Sequence, residues 1–99
     1  MSRFHETDRK EVVVFDVGAA TDTVIATGPH ILWGWHCNED TSHLFELEDD
    51  TTRIILVEAS VAKGDQEWYE GGVRFQTSIN VDVSASSTTG IFAFIIEPI

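Results

Sequence analysis

The sequence is poor in cysteine and has no long apolar run. Cys37 is the single cysteine among 99 residues, so no disulfide can close within the chain and packing must hold the fold together. No stretch approaches the roughly 18 apolar residues that cross a bilayer, and the N-terminus lacks the apolar core of a signal peptide. We therefore expect no membrane partner and synthesis in a reducing cytosol.

Basic side chains are also scarce. Six Lys and Arg face seventeen Asp and Glu, which gives a net charge of -11. Such a field repels phosphate backbones and anionic headgroups, so nucleic acid is a poor candidate partner. Arg3, Arg9 and Lys10 lie close together near Phe4 at the start of the chain. We therefore treat residues 1–10 as an arm that either docks on an acidic neighbour or frays, and residues 11–99 as one domain.

Helical periodicity is absent, and short runs rich in Val, Ile, Phe, Trp and Thr recur between clusters of turn-forming residues. This spacing is typical of an all-β, antiparallel two-sheet sandwich with about eight or nine short strands. Gly71-Gly72 and Asp49-Asp50 are predicted turns between strands. The predicted strands are residues 11–17, 22–27, 31–37, 43–48, 53–59, 66–69, 73–76, 79–85 and 91–97.

Two of these strands, 31–35 and 91–96, are apolar on both faces. In a two-layer domain only one face of each sheet meets the core, so the second face needs a cover. A loop and a partner chain are equally good covers. Burial by a partner predicts a homo-oligomer, with an interface formed by Phe4, Trp33, Trp35, Phe92, Phe94 and Ile96.

Catalytic motifs are missing from the sequence. His36, Cys37 and His43 are the sole cluster of metal-type ligands, and their spacing fits no familiar zinc pattern. A cupin-like enzyme using His36 and His43 is disfavoured because no His-x-His pair is present. No serine lies in a Gly-x-Ser-x-Gly elbow. We therefore expect no catalytic residues, no metal and no cofactor, and a protein that is not an enzyme.

The tryptophans allow a different function. Trp33 and Trp35 stand two apart on a predicted strand, so simple alternation places both on one face, as a sugar-stacking platform requires. Trp68 begins a second aromatic pair. Exposure of these rings would indicate a carbohydrate-binding module or an adhesin domain of a tail or fibre. Burial, which their apolar surroundings favour, would indicate core or subunit interface.

Several segments between residues 22 and 98 resemble small β-sandwich virion proteins of tailed bacteriophages, in particular head decoration or cement proteins. They are Gly28-Pro29, Leu32-x-Gly34, Asp49-Asp50, the run from Gly71 to Phe75, Ile79-x-Val81-x-Val83 and Glu97-Pro98. The resemblance implies a jelly roll, often a homotrimer, on the outer capsid surface of a virion. Its partners would be copies of itself and the major capsid protein, and its function would be to stabilise the shell.

Overall fold

A computed structural model describes residues 9–17, 22–38, 43–50, 53–61, 63–83 and 90–99. These residues form eight strands and no helix, and hence no helix that could span a membrane. The strands are β1 (Glu11–Val17), β2 (Asp22–Thr27), β3 (His30–Cys37), β4 (His43–Asp49), β5 (Arg53–Val61), β6 (Gln66–Phe75), β7 (Ser78–Val83) and β8 (Gly90–Pro98).

The strands form two antiparallel sheets of four. The front sheet has the order β1-β8-β3-β6, and the back sheet has the order β2-β7-β4-β5. Strands β1, β3, β6 and β8 thus lie in one layer, with their sequence neighbours in the other. An eight-stranded sandwich with these two strand orders is a jelly roll. The predicted two-sheet antiparallel sandwich is confirmed.

The core lies between the two sheets and follows from strand alternation. In β8, Phe92, Phe94 and Ile96 point inward and are buried, while Ile91, Ala93 and Ile95 between them are half-buried on the outside. Among the side chains that the structure describes, every other strand except β1 also contributes at least one buried apolar side chain. The core side chains are Ile25, Leu32, Trp35, Cys37, Leu47, Val61, Phe75, Ile79, Val81, Phe92, Phe94 and Ile96.

Strand β6 differs from the prediction. Residues 66–69 and 73–76 were expected to be two strands joined by a turn at Gly71-Gly72, but both glycines lie inside one strand with positive φ angles of 82° and 78°. The pairing of β6 with β3 shifts register at this point. Two glycines in the left-handed region therefore make an irregularity within a strand and do not reverse the chain.

Candidate interaction surface

The outer surface of the front sheet is apolar. We call it the front face and define it by Val12, Val14, Ile31, Trp33, Trp68, Ile91, Ala93 and Ile95. The register sets its composition, because Val12 pairs with Ile95 and Val14 with Ala93 on the side opposite the core. Val12 and Val14 are each 63% exposed, and Trp68 is 53% exposed. Apolar side chains that are contiguous and exposed on a sheet indicate an interaction surface.

Trp33 is held on the front face by three contacts. Its ring stacks on that of Trp68 with centroids 5.8 Å apart, and the Nζ atom of Lys10 lies 4.5 Å from its centroid on the ring face. Its Nε1 donates a hydrogen bond of 2.9 Å to Oε1 of Glu97. A stacked ring, a cation over the ring and a satisfied N–H together hold Trp33 in one orientation.

Trp35 points the other way. It is 4% exposed, packs edge-on against Phe92 with centroids 6.1 Å apart, and donates from Nε1 to Oη of Tyr69 at 2.9 Å. The prediction that Trp33 and Trp35 share a face is wrong. The reason is a β-bulge, because the two-residue step from Leu32 to Gly34 in β3 lies opposite a one-residue step from Ile96 to Ile95 in β8. One inserted residue exchanges the two faces.

Gly34 allows Trp68 to lie across the sheet. A Cβ atom at this position would collide with the carbonyl oxygen of Glu67 and stand 3.1 Å from Cε3 of Trp68. Because glycine has no side chain, β6 approaches β3 closely and the indole lies over the strand. The exposed aromatic surface therefore depends on a residue without a side chain.

A cavity of about 320 Å³ opens on the front face. Apolar side chains and one exposed indole form most of its wall, and polar groups line the part near the edge strand β6. Nδ1 of His36 donates to Oδ1 of Asn38 at 2.6 Å. The cavity is large enough for an aromatic side chain or a single sugar ring. Its lining residues are Val12, Trp35, His36, Gln66, Glu67, Trp68, Ala93 and Ile95.

The predicted interface residues fall into three groups. Trp33 lies on the front face, and Phe4 lies outside the described residues. The side chains of Trp35, Phe92, Phe94 and Ile96 are buried in the protomer's own core, so they do not reach a neighbour. The apolar side chains that do face outward are their strand neighbours. The prediction omitted Val12 and Val14 from the interface, although the alternation of residues 12–15 places both side chains on one side of the strand.

The metal-type ligands of the sequence do not converge. His36 lines the front-face cavity, whereas Cys37, the next residue of β3, is buried in the core. The His43 side chain lies outside the described residues. Within the described ranges, the one group of three ligand-type side chains whose ligand atoms all lie within 4.8 Å is Glu46, Glu48 and Asp82. Glu48 is buried, Glu46 and Asp82 are half-buried, and groups of acidic side chains are common without a bound ion.

This acidic trio lies on the outer surface of the back sheet. There Glu46 pairs with Asp82, and Glu48 pairs with Ile54. We call this surface the back face and define it by Glu46, Glu48, Asp82, Val24, Ile54 and Val57. Its three apolar side chains are exposed, Ile54 at 55% and Val57 at 53%. The back face thus combines carboxylates with a second, smaller apolar patch.

Asp49 has a structural role at the end of β4. Its carboxylate accepts hydrogen bonds from the backbone N–H groups of Gln76 and Thr77, both at 2.8 Å, and of Ser78 at 3.3 Å. Burial acts to raise the pKa of Asp49, but these N–H groups and the charge of Arg53 outweigh it and hold the pKa below its ordinary value. Asp49 therefore ties the β4–β5 hairpin to the β6–β7 connection.

Comparison with known proteins gives a likeness of fold. No family model and no curated protein matches the chain. One solved structure, from work on Bacillus endospore appendages described as a novel family of disulfide-linked pili, is 17% identical with a TM-score of 0.53. The match covers 88% of this chain and 83% of that one. At this identity the match supports the β-sandwich fold alone.

Proposed function

We propose that this chain is a non-enzymatic structural protein that works as a homo-oligomer, with the front face as its self-association surface. The observation that carries the proposal is the exposure of Val12, Val14 and Trp68 on a sheet whose other side already forms the core. Removing apolar surface from water contributes about 25 cal/mol per Å² before the costs of association are subtracted. A second protein chain is the natural cover for such a surface.

The assembly that the sequence resemblance favours is a phage capsid, with the protein decorating the outer shell and binding the major capsid protein. The strongly acidic surface suits a position outside packaged DNA. On this proposal the mechanism is mechanical. Many copies each add a modest binding free energy that favours the assembled shell over its separate subunits.

The structural neighbour offers a second kind of assembly, since it is described as forming disulfide-linked pili. Linkage by disulfides does not transfer to the described part of this chain. Cys37 is its single cysteine and is fully buried in the core, so its thiol would have to leave the core to meet another chain. We therefore expect any self-association of this protein to be non-covalent.

Light scattering coupled to size exclusion tests the proposal. We expect the wild type to run above monomer mass, and the double variant Val12→Asp with Val14→Asp to run as a folded monomer. Ile99→Asp is a matched control, because Ile99 is 59% exposed but lies outside the front face. A wild type that stays monomeric at several hundred micromolar would refute self-association.

Carbohydrate binding is the second candidate. Trp68, which stacks on Trp33, lines the cavity, where His36, Gln66 and Glu67 supply hydrogen-bonding groups. An indole with neighbouring polar side chains can stack on a sugar ring and bind its hydroxyls. Titrating a panel of glycans against tryptophan fluorescence tests this. Binding by the wild type that is lost in Trp68→Ala would favour the glycan site over the subunit interface.

A further inference from the structure

We propose that two copies of this chain associate edge to edge, with strand β1 of one copy pairing antiparallel to β1 of the other. The inference rests on the proposed self-association and names the contact that forms it. Strand β1 is the outermost strand of the front sheet, and among the described strands it pairs with β8 alone. Its other side therefore presents backbone N–H and C=O groups that a further strand can bind.

The hydrogen bonding of β8 shows which of its residues point toward β1. The carbonyl oxygen of Ile91 accepts a hydrogen bond of 2.7 Å from the N–H of Asn38, which follows β3. The backbone groups of Ile91 thus point toward β3, and the direction reverses at each residue of a strand. Three residues further along β8, the backbone groups of Phe94 therefore point toward β1.

The same alternation identifies the residues of β1 that face the open edge. Phe94 lies opposite Val13, so Val13 uses its N–H and C=O groups to bind β8. The residues on either side of it, Val12 and Val14, direct their backbone groups the opposite way. Val12 and Val14 therefore combine exposed side chains on the front face with backbone donors and acceptors at the open edge.

The three other edge strands are irregular, whereas β1 is not. Register shifts interrupt the pairing of β2 with β7, of β5 with β4 and of β6 with β3. Strand β1 pairs with β8 over all seven of its residues without a shift. Bulges at an edge hinder its pairing with another chain. Among the described edges, β1 is therefore the one best suited to accept a further strand.

The outward side chains of β1 favour a second copy of β1 as that strand. With Val12 of one copy opposite Val14 of the other, each valine meets a valine across a two-fold axis that passes through Val13. Directly opposed β-branched side chains stabilise an antiparallel pair. Moving the register by two residues in either direction would place one valine opposite a charged residue, Lys10 or Asp16. The pattern of β1 is thus complementary to itself in one register.

This contact closes at two copies. It is isologous, because the same edge is used by both copies, and each copy has one β1. The two front sheets join into one continuous sheet, while Trp68 on β6 lies at the far end of each and stays available to a further partner. The trimer implied by the sequence resemblance would need a different contact.

A proline at position 14 tests the inference. Proline has no N–H, and edge strands accept it where the N–H points away from the sheet. We expect the wild type to be a dimer by light scattering. Val14→Pro should raise the dissociation constant about tenfold or more, because the symmetric contact loses the hydrogen bond of Val14 twice.

Val14→Thr is the matched comparison, since threonine keeps both the N–H and the β-branched shape. It should dimerise more tightly than Val14→Pro, and circular dichroism checks that both variants are folded. A folded Val14→Pro that associates as tightly as Val14→Thr would overturn the inference.

Amide hydrogen exchange of the wild type gives a second measurement, which needs no substitution. The N–H groups of Val12 and Val14 should exchange more slowly as the protein concentration rises, in step with the dimer. That of Val13, which is bound to β8, should be protected at every concentration. Fast exchange of Val12 and Val14 in the dimer would overturn the inference. Protection that does not depend on concentration would also overturn it, since another segment of the same chain would then cover the edge.

The remaining outcomes separate the inference from the proposed function. Association that survives Val14→Pro but is lost in Trp68→Ala would mean that the copies meet face to face, so the inference would fail and the proposed function would stand. A trimer by light scattering would have the same consequence. A wild type that stays monomeric would overturn the proposed function, and the inference with it.

Discussion

Asp49 holds the β4–β5 hairpin and the β6–β7 connection together through one carboxylate. Hydrogen bonds to charged groups contribute roughly 1.5–3 kcal/mol each, so we expect Asp49→Asn to lower the free energy of unfolding by about 2 kcal/mol or more at pH 7. Urea denaturation of the wild type and the variant measures this. Asp50→Asn, at the exposed neighbouring position, is the control and should change little.

The low pKa of Asp49 adds a pH dependence with a definite sign. A carboxyl whose pKa is lower in the folded state stabilises the fold above its unfolded pKa and loses that contribution as pH falls through the folded value. The stability difference between the wild type and Asp49→Asn should therefore shrink below about pH 4, where the unfolded carboxyl protonates. A constant difference down to pH 2 would contradict this role.

Gly72 combines a left-handed backbone with a close approach to the front face. Its φ angle is 78°, and a Cβ atom there would collide with Cγ2 of Ile31 and lie 3.4 Å from the Trp33 ring. We expect Gly72→Ala to destabilise the protein by roughly 1–3 kcal/mol and to alter the near-ultraviolet circular dichroism of the tryptophans.

Gly64→Ala is the matched control for this prediction. Gly64 has a φ angle of 91°, but a Cβ atom there would meet open space. It therefore suffers the backbone strain without the collision, and its denaturation midpoint should fall less than that of Gly72→Ala. Equal denaturation midpoints for the two variants would show that the contact with Ile31 and Trp33 does not destabilise the Gly72→Ala variant.

The orientation of Trp33 and Trp35 shows where residue-level prediction fails. Alternation is a reliable guide only while the register is regular, and the bulge between Leu32 and Gly34 interrupts it. Nothing in the run Ile31–Trp35 marks the inserted residue except Gly34. The need for that glycine comes from Trp68 and Glu67, which are distant in sequence. Local pattern could not supply this information.

At the level of single strands, the sequence patterns located most elements. The runs predicted at 11–17 and 22–27 coincide with β1 and β2, and the alternation in residues 91–97 describes the two sides of β8. The two doubly apolar strands, β3 and β8, lie side by side in the front sheet. The sequence therefore indicated which sheet has an apolar outer face. The wrong side chains were assigned to that face, because most of the large aromatic side chains of β3 and β8 are buried in the core.

Strand β8 allows a direct comparison of its inner side with the front face. Truncating a buried phenylalanine costs about 3–5 kcal/mol, so we expect Phe94→Ala to lower the unfolding free energy strongly and Phe94→Asp to abolish assembly by unfolding the protomer. Val14→Asp, on the neighbouring strand but exposed, should weaken association while retaining the wild-type circular dichroism. A folded, monomeric Phe94→Asp would contradict this division.

For the whole molecule, the two-sheet architecture follows from the sequence, but the strand order does not. Length, turn spacing and the lack of helical periodicity are enough to predict a sandwich. The order β1-β8-β3-β6 depends on pairing between residues at the two ends of the chain, such as Val13 with Phe94. Because both strands are apolar, each could pair with many other strands. The packing of the complete core therefore determines which strands pair.

That topology predicts slow folding. Among the eight described strands, only β4 and β5 are neighbours both in the chain and in a sheet, while β1 must find β8, and β2 must find β7, over long separations in sequence. Two-state proteins dominated by such distant pairings fold in about milliseconds to seconds, whereas locally connected bundles fold in microseconds to milliseconds. Stopped-flow refolding from urea, followed by tryptophan fluorescence, measures the rate. The double variant Val12→Asp with Val14→Asp keeps association out of the signal. Refolding within microseconds would mean that the pairing of distant strands does not limit the rate, against what this strand order requires.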